Sequence, residues 1–382
     1  MKCDVLVVGA GLAGLTVAER IANDMKLKVI VVDKRDHIGG NVYDFYNNDG
    51  ILIHKYGPHI FHTNDSEVYE YLSRFTEWRQ FEHFVLSSVD GKLVPMPVTL
   101  DTVNAIYGTD MNEEEMKAFL EKEAVSFDEI KTSEQVALSK VGPLLYEKLF
   151  KNYTKKQWGI DASELDTSVI SRIPVRFNHD TRYFADTYQG MPLYGYTKMC
   201  EKMVESKNIK LLLKTDYKEI ASEIQHRALV YTGRTDEFFH NFYGKLPYRS
   251  LDFIFETHDM EKFQEAPCVN YPNDNEYTRI TEFKWMTGQT CYKTATCKLI
   301  PGDDGQALYP FPTAEYQAQF ANYRKLMAKE KNTYFVGRLA EYKYYNMDKV
   351  VKRGLEVFED MKKDYEELST YERVHSLSEE EL

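Results

Sequence analysis

The chain opens on a run of apolar residues, Cys-Asp-Val-Leu-Val-Val over 3–8, whose β-branched members predict a short buried strand. Gly9-x-Gly11-x-x-Gly14 follows at once, and the apolar positions over 15–23 then recur at helical spacing. A second apolar run, 28–32, ends at Asp33. The pattern predicts a strand–helix–strand unit with its glycines at the first turn.

Further along, the pattern is coarser. Residues 51–53 and 57–62 read as short strands or turns leading to His59 and His62. From 99 to 156 the spacing is helical: acidic residues open the stretch 113–125, Thr132 or Ser133 can cap the stretch through Lys140, and Pro143 stands where a helix can begin. Residues 163–173 lose regular period and read as a mobile loop ending in Arg172-Ile173-Pro174-Val175-Arg176. A helix is predicted at 193–206, with strands at 209–214, 229–231, 250–256, 277–284 and 290–300. A strand at 333–336 meets Gly337-Arg338, a helix follows over about 347–366, and the acidic end, 369–382, is expected to fray.

The glycines of the first unit have separate tasks. Gly9 permits the tight turn, Gly11 lets backbone approach a pyrophosphate, and Gly14 lets helix and strand pack closely. The helix start offers unpaired N–H groups to phosphates, and Asp33 stands where a carboxylate accepts from ribose hydroxyls. Gly39-Gly40-Asn41 follows the acid closely, a second glycine pair that brings another loop to the same ligand and favours FAD over NAD.

Composition narrows the picture. With 382 residues, 43% of them hydrophobic, the chain can build two or three domains. The 28 Tyr and 21 Phe supply flat surfaces with polar tips suited to rings and sugars, or simply an aromatic core. A net charge of -12 excludes nucleic acid and anionic membranes as partners, so an anionic substrate needs a local basic pocket. The five cysteines contain no Cys-x-x-Cys, which argues against a disulfide scaffold or zinc site and fits reduced thiols in the cytoplasm. The apolar stretch 5–17 is not read as a signal peptide, because Asp4 and regular glycines interrupt it, and no segment has membrane-spanning length.

Several blocks carry a family resemblance: Gly-Ala-Gly-Leu-Ala-Gly over 9–14, 34–41, the His54-to-Thr63 segment, Tyr153-Thr154-Lys155-Lys156-Gln157-Trp158-Gly159, 172–177, Tyr277-Thr278-Arg279-Ile280 and 337–345. Together, and in order along nearly the whole chain, they resemble the bacterial UDP-galactopyranose mutase family. The resemblance implies an α/β fold of three domains: a discontinuous Rossmann-like FAD domain (1–77, 188–234, 312–382), a helical bundle (78–147) and a twisted antiparallel sheet for substrate (148–187, 235–311). It implies a ring contraction of UDP-galactopyranose to UDP-galactofuranose, active with reduced FAD whose N5 attacks the anomeric carbon, and a homodimer. The external reductant, NADPH, NADH or a reductase, is left open. An amine-oxidase-type oxidoreductase, a non-catalytic UDP-sugar binder and a mutase for an N-acetylated sugar are the alternatives.

The resemblance also assigns residues. Arg172 and Arg279 hold the diphosphate, with Tyr183, Tyr309 and Tyr344 donating to it. Phe150, Tyr153, Thr154 and Asn270 fall at the uridine end, Trp158 near the sugar, and His83 along the cleft. FAD is assigned Gly9, Gly11, Ala13, Gly14, Asp33, Lys34, Gly39, Gly40 and Asn41, and around the ring His59, Ile60, His62, Gly337, Arg338, Tyr345, Asn346 and Met347. His59 joins Arg172 and Arg279 as a catalytic candidate, near N5. One position departs: the family usually reads Tyr-Tyr-Asp-Met where this chain has Tyr344-Tyr345-Asn346-Met347.

Overall fold

The computed structural model describes residues 1–302 and 305–380, with side chains of the last helix described through Tyr365. Its first layer is a five-stranded parallel sheet in the order Ile209–Leu212, Val29–Val32, Val5–Val8, Ala228–Tyr231 and Thr333–Phe335. All four residues of Val29–Val32 are buried, as expected of a strand inside a parallel sheet covered on both faces. The helix Leu12–Asn23 packs against the last helix, Met347–Glu380, and their apolar faces share one core with Val5, Val7, Val29 and Val31. The last helix extends well past 366. The expected fraying over 369–382 falls on side chains outside the described residues, and 381–382 lie outside them entirely.

A seven-stranded sheet forms the second layer, in the order Tyr309–Pro310, Tyr248–His258, Thr294–Gly302, Arg279–Glu282, Cys268–Asn270, Val85–Val89 and Lys92–Met96. It is mixed rather than wholly antiparallel, because Cys268–Asn270 pairs parallel with Val85–Val89. The hairpin Val85–Val89/Lys92–Met96 lies within the stretch that the sequence assigned to the helical bundle. Its alternating burial turns Val85, Ser87 and Val89 inward, which is strand periodicity, and the sheet edge takes it up. The stretch 277–284 is likewise not one strand. Arg279–Glu282 ends where the short helix Phe283–Thr287 begins, and Gly288, at φ 68°, closes that helix.

Three helical segments, Leu100–Tyr107, Glu113–Glu123 and Ser133–Leu145, sit over this hairpin, the last broken at Gly142 (φ 76°) so that a new helix begins at Pro143. Each starts on a reciprocal capping box, from Thr99, Asn112 and Thr132 respectively, so the first-turn amides are satisfied by short side chains. The short helix Ser168–Ser171 lies within the stretch read as a loop and leads directly to Arg172. A small three-stranded sheet, Phe61–Thr63, Tyr188–Pro192 and Trp78–Gln80, bridges the two large layers. All five cysteines are unpaired. Among the described residues no cluster of three or more His, Cys, Asp or Glu is placed to hold a metal, and no helix is long and apolar enough to cross a membrane.

Candidate active site

The glycine motif opens the first of two joined cavities, about 270 Å³ in volume. Gly9 has φ +107°, and a Cβ there would fall 2.0 Å from Thr232 Oγ1. The second glycine pair touches the first: Gly11 and Gly39 form a β-bridge, and the Gly39 amide donates to the Ala10 carbonyl at 2.8 Å. The helix Leu12–Asn23 starts at Gly11 without a side-chain cap, so its first-turn N–H groups remain available beside Leu12 and Ala13 in the cavity wall. Asp33 accepts from the amides of Ala10 at 2.8 Å and Arg35 at 2.9 Å, which fixes both loops to the strand end. It lines the same cavity with Lys34 and Asn41 and keeps lone pairs for a sugar hydroxyl. An uncapped helix start, a glycine-bordered groove and a carboxylate beyond it fit a dinucleotide.

Two residues that the sequence assigned to the cofactor line neither cavity. Gly14 serves the turn, since a Cβ would meet the Gly9 carbonyl at 2.1 Å. Tyr345 contributes its carbonyl, which accepts from Arg338 Nη2 at 2.6 Å. Ile60, His62 and Asn346 line the larger cavity only, whereas Gly337 lines the smaller one only. His59, Arg338 and Met347 line both and mark the junction.

The larger cavity, about 740 Å³, is of nucleotide-sugar size. It gathers every substrate residue assigned from the sequence: His83, Phe150, Tyr153, Thr154, Trp158, Arg172, Tyr183, Asn270, Arg279, Tyr309 and Tyr344. The sheet strand Arg279–Glu282 presents Arg279, whose Nη2 donates to the Tyr153 hydroxyl while its Nε is sealed from solvent without a partner. A buried unsatisfied donor costs about 1–3 kcal/mol, a cost that a bound anion removes. Arg338 lies 4.9 Å from the centre of the Tyr309 ring. Arg172, Arg279 and Arg338 face phenols and carbonyls rather than carboxylates among the described residues. Such unneutralised guanidiniums provide the local basic pocket that a chain of net charge -12 needs for an anion.

The site's titrations follow from burial and these charges. Burial, with His54 and Arg338 nearby, lowers His59 to about 3, so its imidazole is neutral, with Nδ1 2.9 Å from the Gly57 carbonyl. Burial, with Arg279 and His62 nearby, lowers His83 to about 3, and its Nδ1 has no partner. Burial pushes the Tyr309 phenol up. Burial pushes Tyr344 in the same direction, but Arg172, Arg338 and Arg279 outweigh it and hold that phenol at about 8.

The sequence reading did not find Asp186, Phe184 or Asp348, all of which line the larger cavity. Asp186 reaches His62 across 124 positions of chain through the pairing of Phe61–Thr63 with Tyr188–Pro192, and no local spacing signals it.

A dinucleotide groove opening onto an arginine- and tyrosine-lined pocket is the arrangement of a flavoprotein with a second site for an anionic substrate. Residues 148–344 match the family model for UDP-galactopyranose mutase, and residues 7–75 match that for an NAD(P)-binding Rossmann-like domain. The chain is 36% identical to a probable UDP-galactopyranose mutase of Klebsiella pneumoniae, with 94% of each covered, and 32% identical to the dTDP-fucopyranose mutase of Escherichia coli, with 92% of this chain and 96% of that one covered. Its fold matches a crystal structure of reduced UDP-galactopyranose mutase with a TM-score of 0.77 at 15% identity over 94% of each chain. The chain belongs to the UDP-galactopyranose mutase family.

Proposed function

We propose that the protein interconverts UDP-galactopyranose and UDP-galactofuranose with FAD in its reduced form and no net redox change. The observation that carries this reading is the convergence of Arg172, Arg279 and Arg338 with phenols in a cavity joined to the glycine-lined groove at His59, Arg338 and Met347. FAD would lie along Gly9, Gly11, Ala13, Asp33, Lys34, Gly39, Gly40 and Asn41, with its ring toward the junction. When bound and reduced it supplies an electron-rich ring nitrogen for the anomeric carbon.

The chain's own residues supply binding and electrostatics. Arg172 and Arg279 neutralise the diphosphate as it leaves and keep it close for return, a positioning gain as well as a charge effect. The phenols of Tyr183, Tyr309 and Tyr344 donate to the same oxygens. Phe150, Tyr153, Thr154 and Asn270 hold the uridine, and Trp158, buried beside Tyr344 with ring centres 6.4 Å apart, shields the sugar from water. Neutral His59 accepts or donates at the ring without adding charge. We assign the protein to the cytoplasm as a homodimer supplied with electrons by a nicotinamide cofactor or a reductase.

The test is direct: FAD-loaded protein, dithionite and UDP-galactose, with the furanose isomer read by NMR. Furanose under reducing conditions alone is expected, and no furanose overturns the reading. The Escherichia coli relative gives a reason to run dTDP-fucopyranose in parallel. Faster turnover of that substrate would move the assignment to a deoxysugar nucleotide.

A further inference from the structure

Three carboxylates line the larger cavity: Asp65, Asp186 and Asp348. Two are committed elsewhere. Asp65 caps the helix Ser66–Ser73, accepting from the Val68 amide at 3.3 Å, and lies 3.5 Å from Lys352. Asp348 accepts from Thr63 Oγ1 at 3.1 Å and lies 3.7 Å from Lys349. Asp186 instead faces an imidazole, with its Oδ2 2.7 Å from His62 Nδ1. Its other oxygen accepts from Asn64 Nδ2 at 2.6 Å, so the carboxylate is held on both sides.

The imidazole is held as firmly. His62 stacks on Phe184 with ring centres 3.6 Å apart and planes 11° from parallel, which fixes the ring's rotation. With Nδ1 on the carboxylate, Nε2 is the free nitrogen. No described residue bonds to it, and unlike His83 Nδ1 it is not shut off from the cavity. The charged and titratable groups facing the ring are Asp186 and His83, with Arg279 beside His83 and Asp348 beyond Thr63. An imidazole whose Nδ1 is held by a carboxylate keeps one tautomer and presents Nε2 in a fixed direction, the placement needed by a group that both gives and takes a proton.

We propose that His62 and Asp186 form a proton shuttle for the sugar oxygens of the ring contraction, an inference that rests on the function proposed above. As the C1–O5 bond breaks, its electron pair goes to O5, and protonated His62 gives O5 the Nε2 proton. As O4 then supplies the electron pair of the new C1–O4 bond, the O4 proton passes to Nε2. Bound reduced FAD would supply the electron pair that satisfies C1 while the ring is open and take it back as O4 closes; net, one C–O bond forms, one breaks, and His62 ends as it began, with no redox change. Asp186 is a positioning residue: it holds the ring and leaves Nε2 facing the cavity.

The experiment uses reduced, FAD-loaded protein and UDP-galactose, comparing wild type with Asp186→Asn, Asp186→Glu and His62→Gln across pH 6 to 9. Asp186→Asn and His62→Gln are expected to lower kcat on the order of 10²-fold, the usual share of a positioned acid–base group. KM, UDP affinity and flavin absorbance should stay within about threefold of wild type. The pH dependence of kcat should change shape, and Asp186→Glu should recover part of the rate. Wild-type kcat and pH profile in either His62→Gln or Asp186→Asn overturns the shuttle. So does an equal loss at every pH accompanied by lost UDP or flavin binding, which would make the pair a structural anchor. No furanose from the reduced wild type sinks the ring-contraction reading and the shuttle with it, whereas an active wild type with unimpaired variants sinks the shuttle alone.

Discussion

Arg172 places its guanidinium carbon 4.9 Å from the centre of the Tyr344 ring, and Arg338 approaches the same ring at 5.4 Å. Burial raises the Tyr344 phenol, but these cations and Arg279 outweigh it and bring it to about 8. Below that pH the neutral phenol donates to a diphosphate; above it the phenolate repels one. UDP affinity is therefore expected to be level up to about pH 8 and to weaken above it by at most about tenfold per pH unit. That slope is a ceiling, because the residue is 37% exposed and solvent screens the repulsion. Titration calorimetry should show proton uptake on UDP binding above pH 8, and Tyr344→Phe should abolish both effects. A wild-type Kd that stays flat through pH 9.5 would remove the phenolate from the account.

Gly40 tests the contact between the two glycine loops. Its φ is +57°, and an added Cβ would stand 2.7 Å from Gly11 Cα. Gly50 provides the control, with φ +75° and nothing within 4 Å of its Cβ position. Gly50→Ala should carry only the left-handed penalty, about 1–2 kcal/mol. Gly40→Ala adds a backbone clash at the edge of the dinucleotide groove. It should purify with little flavin, read as the ratio of absorbance near 450 nm to that of protein, while Gly50→Ala retains it.

How much was legible in the sequence depended on whether the signal was local. The glycine motif and Val-rich strands gave the parallel sheet, because turn conformation and strand periodicity are written in consecutive residues. The capping residue Thr132 was legible for the same reason. Residues 85–96 were absorbed into a helical block although Val85, Ser87 and Val89 alternate and Asp90-Gly91 joins them to Lys92–Met96, a local hairpin signal that the reading overlooked; only the pairing with Cys268–Asn270 lies far along the chain. In the site, Arg172 and Arg279 were found through whole blocks of resemblance, whereas Asp186 meets His62 only once the strand Tyr188–Pro192 pairs with Phe61–Thr63.

Acid should destabilise the protein through its buried imidazoles, His54 and His83 above all. Burial lowers His54 to about 4 and His83 to about 3, with Arg279 and His62 adding to the second. The unfolded chain binds these protons near pH 6.5, whereas the folded one does not, so stability falls as pH drops below 6.5 toward the folded values. At pH 5 each contributes a loss of about 2 kcal/mol, about 4 kcal/mol together. Urea unfolding at pH 7.5 and pH 5 measures this, and His54→Gln with His83→Gln should narrow the difference, the remainder falling to His59, which burial also lowers to about 3. Equal stability at both pH values in the wild type would contradict it.

Asn346 lines the larger cavity beside Met347, at the start of the last helix, where its carbonyl accepts from the Val350 amide at 3.1 Å. Asn and Asp are comparable at a helix start, and a carboxylate there is favoured by the helix dipole. Asn346→Asp should therefore leave thermal stability unchanged or slightly higher. The rate with UDP-galactose should stay within about tenfold, under ~1.4 kcal/mol. A larger gain would show that the chain is tuned for a different sugar, which parallel assays with an N-acetylated substrate would reveal.

Arg172 and Arg279 are expected to contribute through charge, but from different settings. Arg279 sits on a sheet strand with Nε sealed and unpaired and Nη2 held by Tyr153, so its fork is fixed before substrate arrives. Arg172 follows a single helical turn, Ser168–Ser171, and is anchored by Nε donating to the Val169 carbonyl at 3.2 Å. Removing either guanidinium should cost roughly 3 kcal/mol in kcat/KM, the scale of a lost donor to developing charge, with the flavin spectrum unchanged. Lysine should restore little at 279, because a point charge cannot reproduce a fork already bonded to Tyr153. It should restore more at 172, an exposed residue whose side chain can reposition. The measurement is kcat/KM with UDP-galactose for the alanine and lysine variants of each. Near wild-type values in both alanine variants would refute the role of the pair, and equal rescue by lysine at the two positions would refute the preorganisation of Arg279.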